Sequence, residues 1–227
     1  MKTVNTIAKI LFIIILPILL LTTSIAWAFN SQWLYQDGFT KYDISQTTGL
    51  AQPELDKAVS GLIRYFNSSE EFISITVTKD SSSFELFNDR EVIHLKDVKA
   101  LVWLDYRILM GTLLYAIFYV IFSLILRKDW RQLARGLVWG SSFTLGLMLL
   151  LGLGILFNFN RLFLLFHFIS FSNDFWMLDP SRDYLIMLFP QGFWFDTAVF
   201  CALATLGLAI TLGGVAGGFL IARRTHI

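Results

Sequence analysis

The chain has 227 residues, of which 56% are hydrophobic, 16% aromatic and only 15% charged, with a mean hydropathy of +0.63. A water-soluble globule carries nearer a quarter charged residues, so this composition excludes one and describes a membrane protein with a modest polar part. The formal net charge of +1 offers no footprint for nucleic acid, and a lone cysteine, Cys201, excludes an intramolecular disulfide.

Four apolar runs reach the roughly 20 residues needed to cross hydrocarbon: Ile10–Phe29, Ile108–Leu126, Leu137–Phe157 and Thr197–Ile221. The first follows Lys2 and Lys9 and ends in "TTSIAWA", a pattern shared with secretory signals cleaved after a small residue such as Ala28. Residues 1–29 are read here as a retained anchor. Either reading places the following segment outside.

Residues 30–106 predict a small α+β cap. In "QPELDKAVSGLIRYFN", Gln52–Asn67, the residues Leu55, Val59, Ile63 and Phe66 fall at helical spacing, with Pro53 in the first turn. "FISITVT", Phe72–Thr78, alternates as a strand, and "KDSSS" can turn the chain into a second strand, "FELF". Asn88–Trp103, "NDREVIHLKDVKALVW", then leads into the second span. A cap of this size is marginal alone and is expected to lean on the membrane part.

Residues 107–157 hold spans two and three, joined by "RKDWRQLAR", with Arg127, Lys128, Arg131 and Arg135 against Asp129. Arg223 and Arg224 follow span four, and Lys2 and Lys9 precede span one. With four spans, all three basic clusters fall on one face, which predicts that both termini are cytoplasmic. Residues 30–106 and 158–196 then face outward, the latter as an interfacial loop, and 197–227 form span four and the tail. Gly213/Gly217 and Gly214/Gly218, four apart in span four, suit close helix packing. The predicted fold class is an α-helical polytopic membrane protein with four transmembrane helices and an extracytoplasmic α+β cap between spans one and two.

Spans one, three and four are almost free of ionisable residues, which counts against ion or solute translocation. Candidate chemistry gathers at the outer boundary, where His94 precedes span two and His167 follows span three. His226 reads as a solvated tail residue. Asp97 lies one helical turn after His94. Asn173, Asp174, Asp179 and Asp183 follow His167, and "LDP" reads as turn chemistry. Trp176, Phe189, Phe193 and Trp194 suit an interfacial aromatic belt. There is no HExxH, CxxC or GxSxG, so no metal site and no acyl-enzyme nucleophile is expected. Histidine acting as a general base would suffice where the substrate brings its own nucleophile.

"HLKDVKAL", His94–Leu101, followed after two spans by "FHFISFSNDFWMLDPSRDYLIMLFPQGFWFD", Phe166–Asp196, resembles the Lit family of four-span membrane proteins, the lipoprotein intramolecular transacylases. The resemblance extends over essentially the whole chain. It implies transfer of the sn-2 acyl chain of a diacylglyceryl-cysteine lipoprotein onto that cysteine's own α-amino group, giving the lyso-form without a cofactor. It implies catalytic roles for His94 and His167, with Asp97, Asn173 and Asp183 as supporting residues. The implied partners are a diacylated lipoprotein and membrane lipids. Two other readings stay open: a membrane lipid or lipoprotein hydrolase using the same residues, metal-dependent or not, and a non-catalytic accessory protein whose cap recruits a partner.

Overall fold

The computed structural model describes residues 2–223, so the His226 reading lies outside the described residues. The chain runs α1 (Lys2–Asn30), α2 (Gln32–Lys41), α3 (Ile44–Thr48), α4 (Gln52–Phe66), β1 (Thr76–Lys79), β2 (Ser82–Glu85), α5 (Asp89–Ile121), a π-helical turn (Phe122–Leu126), α6 (Trp130–Ser170), α7 (Tyr184–Leu188) and α8 (Gln191–Ala222). Among the described residues, α1, α5 with its π turn, α6 and α8 are long and apolar enough to cross a membrane. The protein is a multi-pass helical membrane protein with a small two-stranded sheet.

The chain divides into two compact units. One comprises α1 as far as Ala26, Asp105–Leu156, and the chain from Val199 onward. Its interior is mainly apolar, with a few buried hydroxyls. Phe12 stacks on Tyr119 with ring centroids 4.5 Å apart, and Leu133 completes that cluster. Leu16, Leu20 and Ala209 form a second cluster. The small-residue stripe of α8 is used on one side: a Cβ at Gly213 would lie 2.8 Å from the Cβ of Ser141 on α6, whereas Gly214 and Gly218 meet nothing within 4 Å. Gly213 therefore permits a helix approach that alanine would obstruct. Ser24, Cys201 and Thr205 are buried here, with Thr205 Oγ1 3.0 Å from Ser24 Oγ.

The other unit comprises Trp27–Leu104 and Phe157–Ala198. Helix α4 forms where the periodicity predicts it. Its apolar face buries Leu55, Val59, Leu62, Tyr65 and Phe66, while Ile63 stays half-buried at the edge. The strands pair antiparallel from Thr76↔Glu85 to Lys79↔Ser82. Asp80 and Ser81 both take positive φ, 50° and 67°, the signature of a tight hairpin turn whose twist matches its strands. The second strand lies two residues earlier than "FELF", because this turn consumes only Asp80 and Ser81.

One stretch runs into its span as the sequence suggests, and one differs from the sequence-based expectation. "NDREVIHLKDVKALVW" and the second apolar run form one continuous helix, α5. The stretch expected to be loop from residue 158 is helical as far as Ser170. Asn158 leaves helical geometry (ψ 69°), and its Oδ1 accepts from Arg161 N at 3.1 Å. This is N-cap chemistry that restarts the helix after a break. His167 therefore rides on a helix.

Candidate active site

The site grows from the first turns of α5. Asn88 Oδ1 accepts from the backbone N–H groups of Arg90 and Glu91, and Glu91 reaches back to accept from Asn88 N at 2.8 Å. This reciprocal capping box satisfies otherwise orphaned donors and fixes where the helix starts. One turn further on the same helix stands His94, nine-tenths buried.

The second half comes from the end of α6. His167, also nine-tenths buried, holds its Nδ1 2.7 Å from the carbonyl oxygen of Phe163. A carbonyl can only accept, so this bond requires Nδ1–H and leaves Nε2 as the lone-pair nitrogen of the neutral ring. The two imidazoles face one another with centroids 6.3 Å apart and planes 29° from parallel. Phe171 stands beside both, 4.9 Å from His94 and 5.6 Å from His167. Trp176 lies 4.9 Å from His167, and Phe163 and Phe166 flank the same ring. His94 Nδ1 is buried with no hydrogen-bond partner. An unpartnered buried nitrogen is costly in a purely structural histidine and expected in one that awaits a substrate.

Loop 171–183 is bolted to α5 on both sides of His94. After it, Asn173 Nδ2 donates to Asp97 Oδ2 at 2.8 Å, and Asn173 Oδ1 accepts from Phe175 N at 3.1 Å. Before it, Arg90 donates to the carbonyl of Asp174. Asn88 Nδ2 donates to Asp183 Oδ1 at 2.9 Å, and Leu185 N donates to Glu91 Oε1 at 2.6 Å. Asp183 Oδ2 accepts from Asp179 N at 2.7 Å, and Arg182 Nε lies 3.6 Å from Asp183 Oδ1. Glu91 and Asp183 are each about 1% exposed. Two buried carboxylates persist here because several donors meet their oxygens.

The structure thus brings His94, His167, Asp97 and Asn173 into one neighbourhood. Asp97 accepts its hydrogen bond from Asn173, which ties it to the loop, while its charge also acts on the buried His94 ring. Asp183 is a loop anchor on the Asn88 side of His94. Burial, with the charge of Asp97 next in weight, pushes the Tyr65 phenol up to about 12. That phenol stays protonated and donates to the Glu71 carbonyl at 3.0 Å. Glu91 and Asn88 escaped the sequence reading, although Asn-x-x-Glu ahead of an apolar helix is a legible capping box. Among the described residues, no three His, Cys, Asp or Glu side chains converge in the manner of metal ligands.

Aromatic packing extends the floor of the site. Phe163 and Phe189 lie 6.3 Å and 6.1 Å from Trp194, and Phe189 and Phe193 pack on Tyr35. Tyr42 and Lys41 both hydrogen-bond Asp196 at the start of α8, at 2.7 Å and 2.6 Å. The Tyr42 ring passes where a Cβ on Gly192 would lie 2.6 Å away, so the phenol needs that glycine to reach Asp196.

Fold and site together define a helical integral membrane protein with a two-histidine centre under an aromatic loop. The model of the family described as lipoprotein intramolecular transacylase Lit matches residues 10–194, and the chain belongs to that family. The solved lipoprotein intramolecular transacylase Lit of Bacillus cereus superposes with a TM-score of 0.83 at 21% identity, covering 99% of this chain and all of that one. Variants of the same protein with one histidine changed to arginine or to alanine superpose at 0.79, again at 21% identity. They cover 100% and 99% of this chain, and 96% and 97% of theirs. At that identity the likeness establishes the fold. An uncharacterized protein of Aquifex aeolicus is 24% identical over 211 residues, covering 92% of this chain and 94% of its own length.

Proposed function

We propose that the protein moves the sn-2 acyl chain of a diacylglyceryl-cysteine lipoprotein onto the α-amino group of the same cysteine. The observation that carries the reading is the 6.3 Å approach of two buried imidazoles, in a chain of the Lit family.

The chemistry follows from what two imidazoles can do. A free α-amine has an ordinary pKa near 8, so near neutral pH much of it is protonated and cannot attack. One imidazole takes its proton, and the amine nitrogen then adds to the ester carbonyl carbon. The new C–N bond forms, the carbonyl electrons move onto oxygen, and the bond from that carbon to the glyceryl oxygen breaks as the carbonyl reforms. The proton taken from the ammonium leaves to water; the second proton, lost from nitrogen once the C–N bond has formed, passes through an imidazole to the departing glyceryl oxygen. Ester plus amine becomes amide plus hydroxyl, with no external reactant. The second imidazole stabilises the oxyanion or delivers the proton. His167, with Nδ1 committed to the Phe163 carbonyl, presents Nε2 for the base role.

Catalysis asks little beyond this. Both reactants belong to one molecule, and holding amine and ester in attack geometry corresponds to effective molarities of roughly 10⁵ M or more. The aromatic side chains around His167 offer apolar surface to the acyl chains.

The charge pattern supports cytoplasmic termini and a cytoplasmic Arg127–Arg135 loop, with the histidine centre at the outer leaflet. A cysteine introduced at exposed Lys57 should then react with an impermeant thiol reagent on intact cells, and one at exposed Arg131 only after permeabilisation. The reaction itself is tested with purified protein and paired lipopeptides. A diacylated lipopeptide with a free amine is converted, and its N-acetylated twin is not. Conversion of both, or of neither, contradicts the proposal.

A further inference from the structure

We propose that Glu91, together with Asn88, is a positioning residue that sets the separation of the two imidazoles; this rests on the transacylase reading above. Glu91 lies three residues before His94 on the same helix, and its two carboxylate oxygens are committed in different directions. Oε2 accepts from Asn88 N and closes the capping box of α5. Oε1 accepts from Leu185 N in the first turn of α7, 94 residues away in sequence. Asn88 repeats the pattern. Its Oδ1 caps α5, while its Nδ2 reaches Asp183 just ahead of α7.

A capping box alone needs only one oxygen of the glutamate, and a glutamine serves equally well there. The second oxygen joins the helix of His94 to the far end of the loop that begins at Phe171, beside His167. Asn173 and Asp97 make the other join, one turn beyond His94. With loop 171–183 fastened on both sides of His94, Phe171 and Trp176 are held against the imidazoles. The separation of the rings then depends on the length of these two joins. A carboxylate is suited to the task because it accepts strongly from two backbone donors at once, and burial leaves it no alternative partner.

Two substitutions separate this role from helix capping. Glu91→Gln keeps an acceptor for Asn88 N but turns an amide N–H₂ toward Leu185 N–H. Asn88→Ser keeps a good N-cap but loses the amide N–H₂ that reaches Asp183, its hydroxyl lying one bond short of that position. Each is read in the full-length protein by kcat and KM on a diacylated lipopeptide, and by the imidazole ¹⁵N signals of a chain with only three histidines. The expected result is a kcat roughly 10- to 100-fold lower with KM within about threefold, because a misplacement of about 1 Å costs on that scale. The His94 and His167 signals should move or broaden in both variants.

Unmoved imidazole signals overturn the proposal whatever happens to activity or melting temperature, since a purely structural role predicts that outcome. Moved signals with kcat within about twofold of wild type overturn it as well. If Glu91→Gln does not fold, Asn88→Ser carries the same two readouts. If the wild type leaves the acyl chains in place, the transacylase reading fails, and the imidazole spectra alone decide whether Glu91 and Asn88 position the histidines.

Discussion

Asn173 and Asp97 lie 76 residues apart in sequence and are joined by a 2.8 Å hydrogen bond from carboxamide to carboxylate. The bond ties the loop after α6 to the helix that carries His94. It also fixes the outward face of the amide, whose oxygen accepts from Phe175 N. Replacing either partner with alanine should slow conversion about tenfold, with a loss of about 1–3 kcal/mol from the unpaired group. The double variant should be little worse than the worse single one, because both act through one bond. A double-mutant cycle on kcat/KM checks this, and additive losses would place the two residues in separate roles.

His94→Ala and His167→Ala should each reduce formation of the lyso-form by at least about 10²-fold, the usual scale for loss of a positioned acid or base. Neither ring is an anchor of the apolar bundle, so both variants should remain membrane-inserted and elute as wild type on size exclusion. Quantifying diacyl and lyso forms side by side tests each histidine separately.

The Phe163 carbonyl dictates a tautomer. His167 should show a protonated Nδ1 and an unprotonated Nε2 in the neutral ring, read directly from ¹⁵N shifts and their couplings. An Nε2–H tautomer at His167 would remove the base role assigned to that nitrogen.

In the bundle, Gly213→Val should destabilise the protein by about 1–3 kcal/mol, because its side chain meets Ser141 where even a Cβ comes within 2.8 Å. Gly218→Ala, with nothing within 4 Å, should be neutral. A thermal shift assay in detergent separates them. The fraction of Gly213→Val protein that remains folded should turn over substrate at the wild-type rate.

What the sequence made legible was what periodicity and spacing can encode. Four apolar runs read as four spans, Leu55 to Phe66 read as a helix, and "FISITVT" read as one strand of a hairpin, although only its end, from Thr76, is strand. The motif around His167 named the family. Less visible were features that depend on distant partners. Gln32–Lys41 forms α2 although it contains Gly38 and has little apolar periodicity; its Tyr35 and Phe39 are buried against Phe189 and Phe193. The helix after Asn158 was hidden because a break inside an apolar run looks like the end of a span. Asp97 read as a partner for His94 from their i, i+3 spacing, and that spacing could not reveal Asn173 as the group it bonds. Glu91 was the most readable omission, since its capping box is local, but the second hydrogen bond to Leu185 depends on the fold.

The proposed reaction moves an acyl chain within one molecule from oxygen to nitrogen. It is tested most directly by mass spectrometry of a diacylated lipopeptide before and after incubation with the purified protein. The total mass should stay unchanged, with fragmentation that shifts one acyl chain from the glyceryl group to the α-amine. A product lighter by one acyl group, with free fatty acid released, would identify a hydrolase and overturn intramolecular transfer; an unchanged fragmentation pattern would overturn it as well.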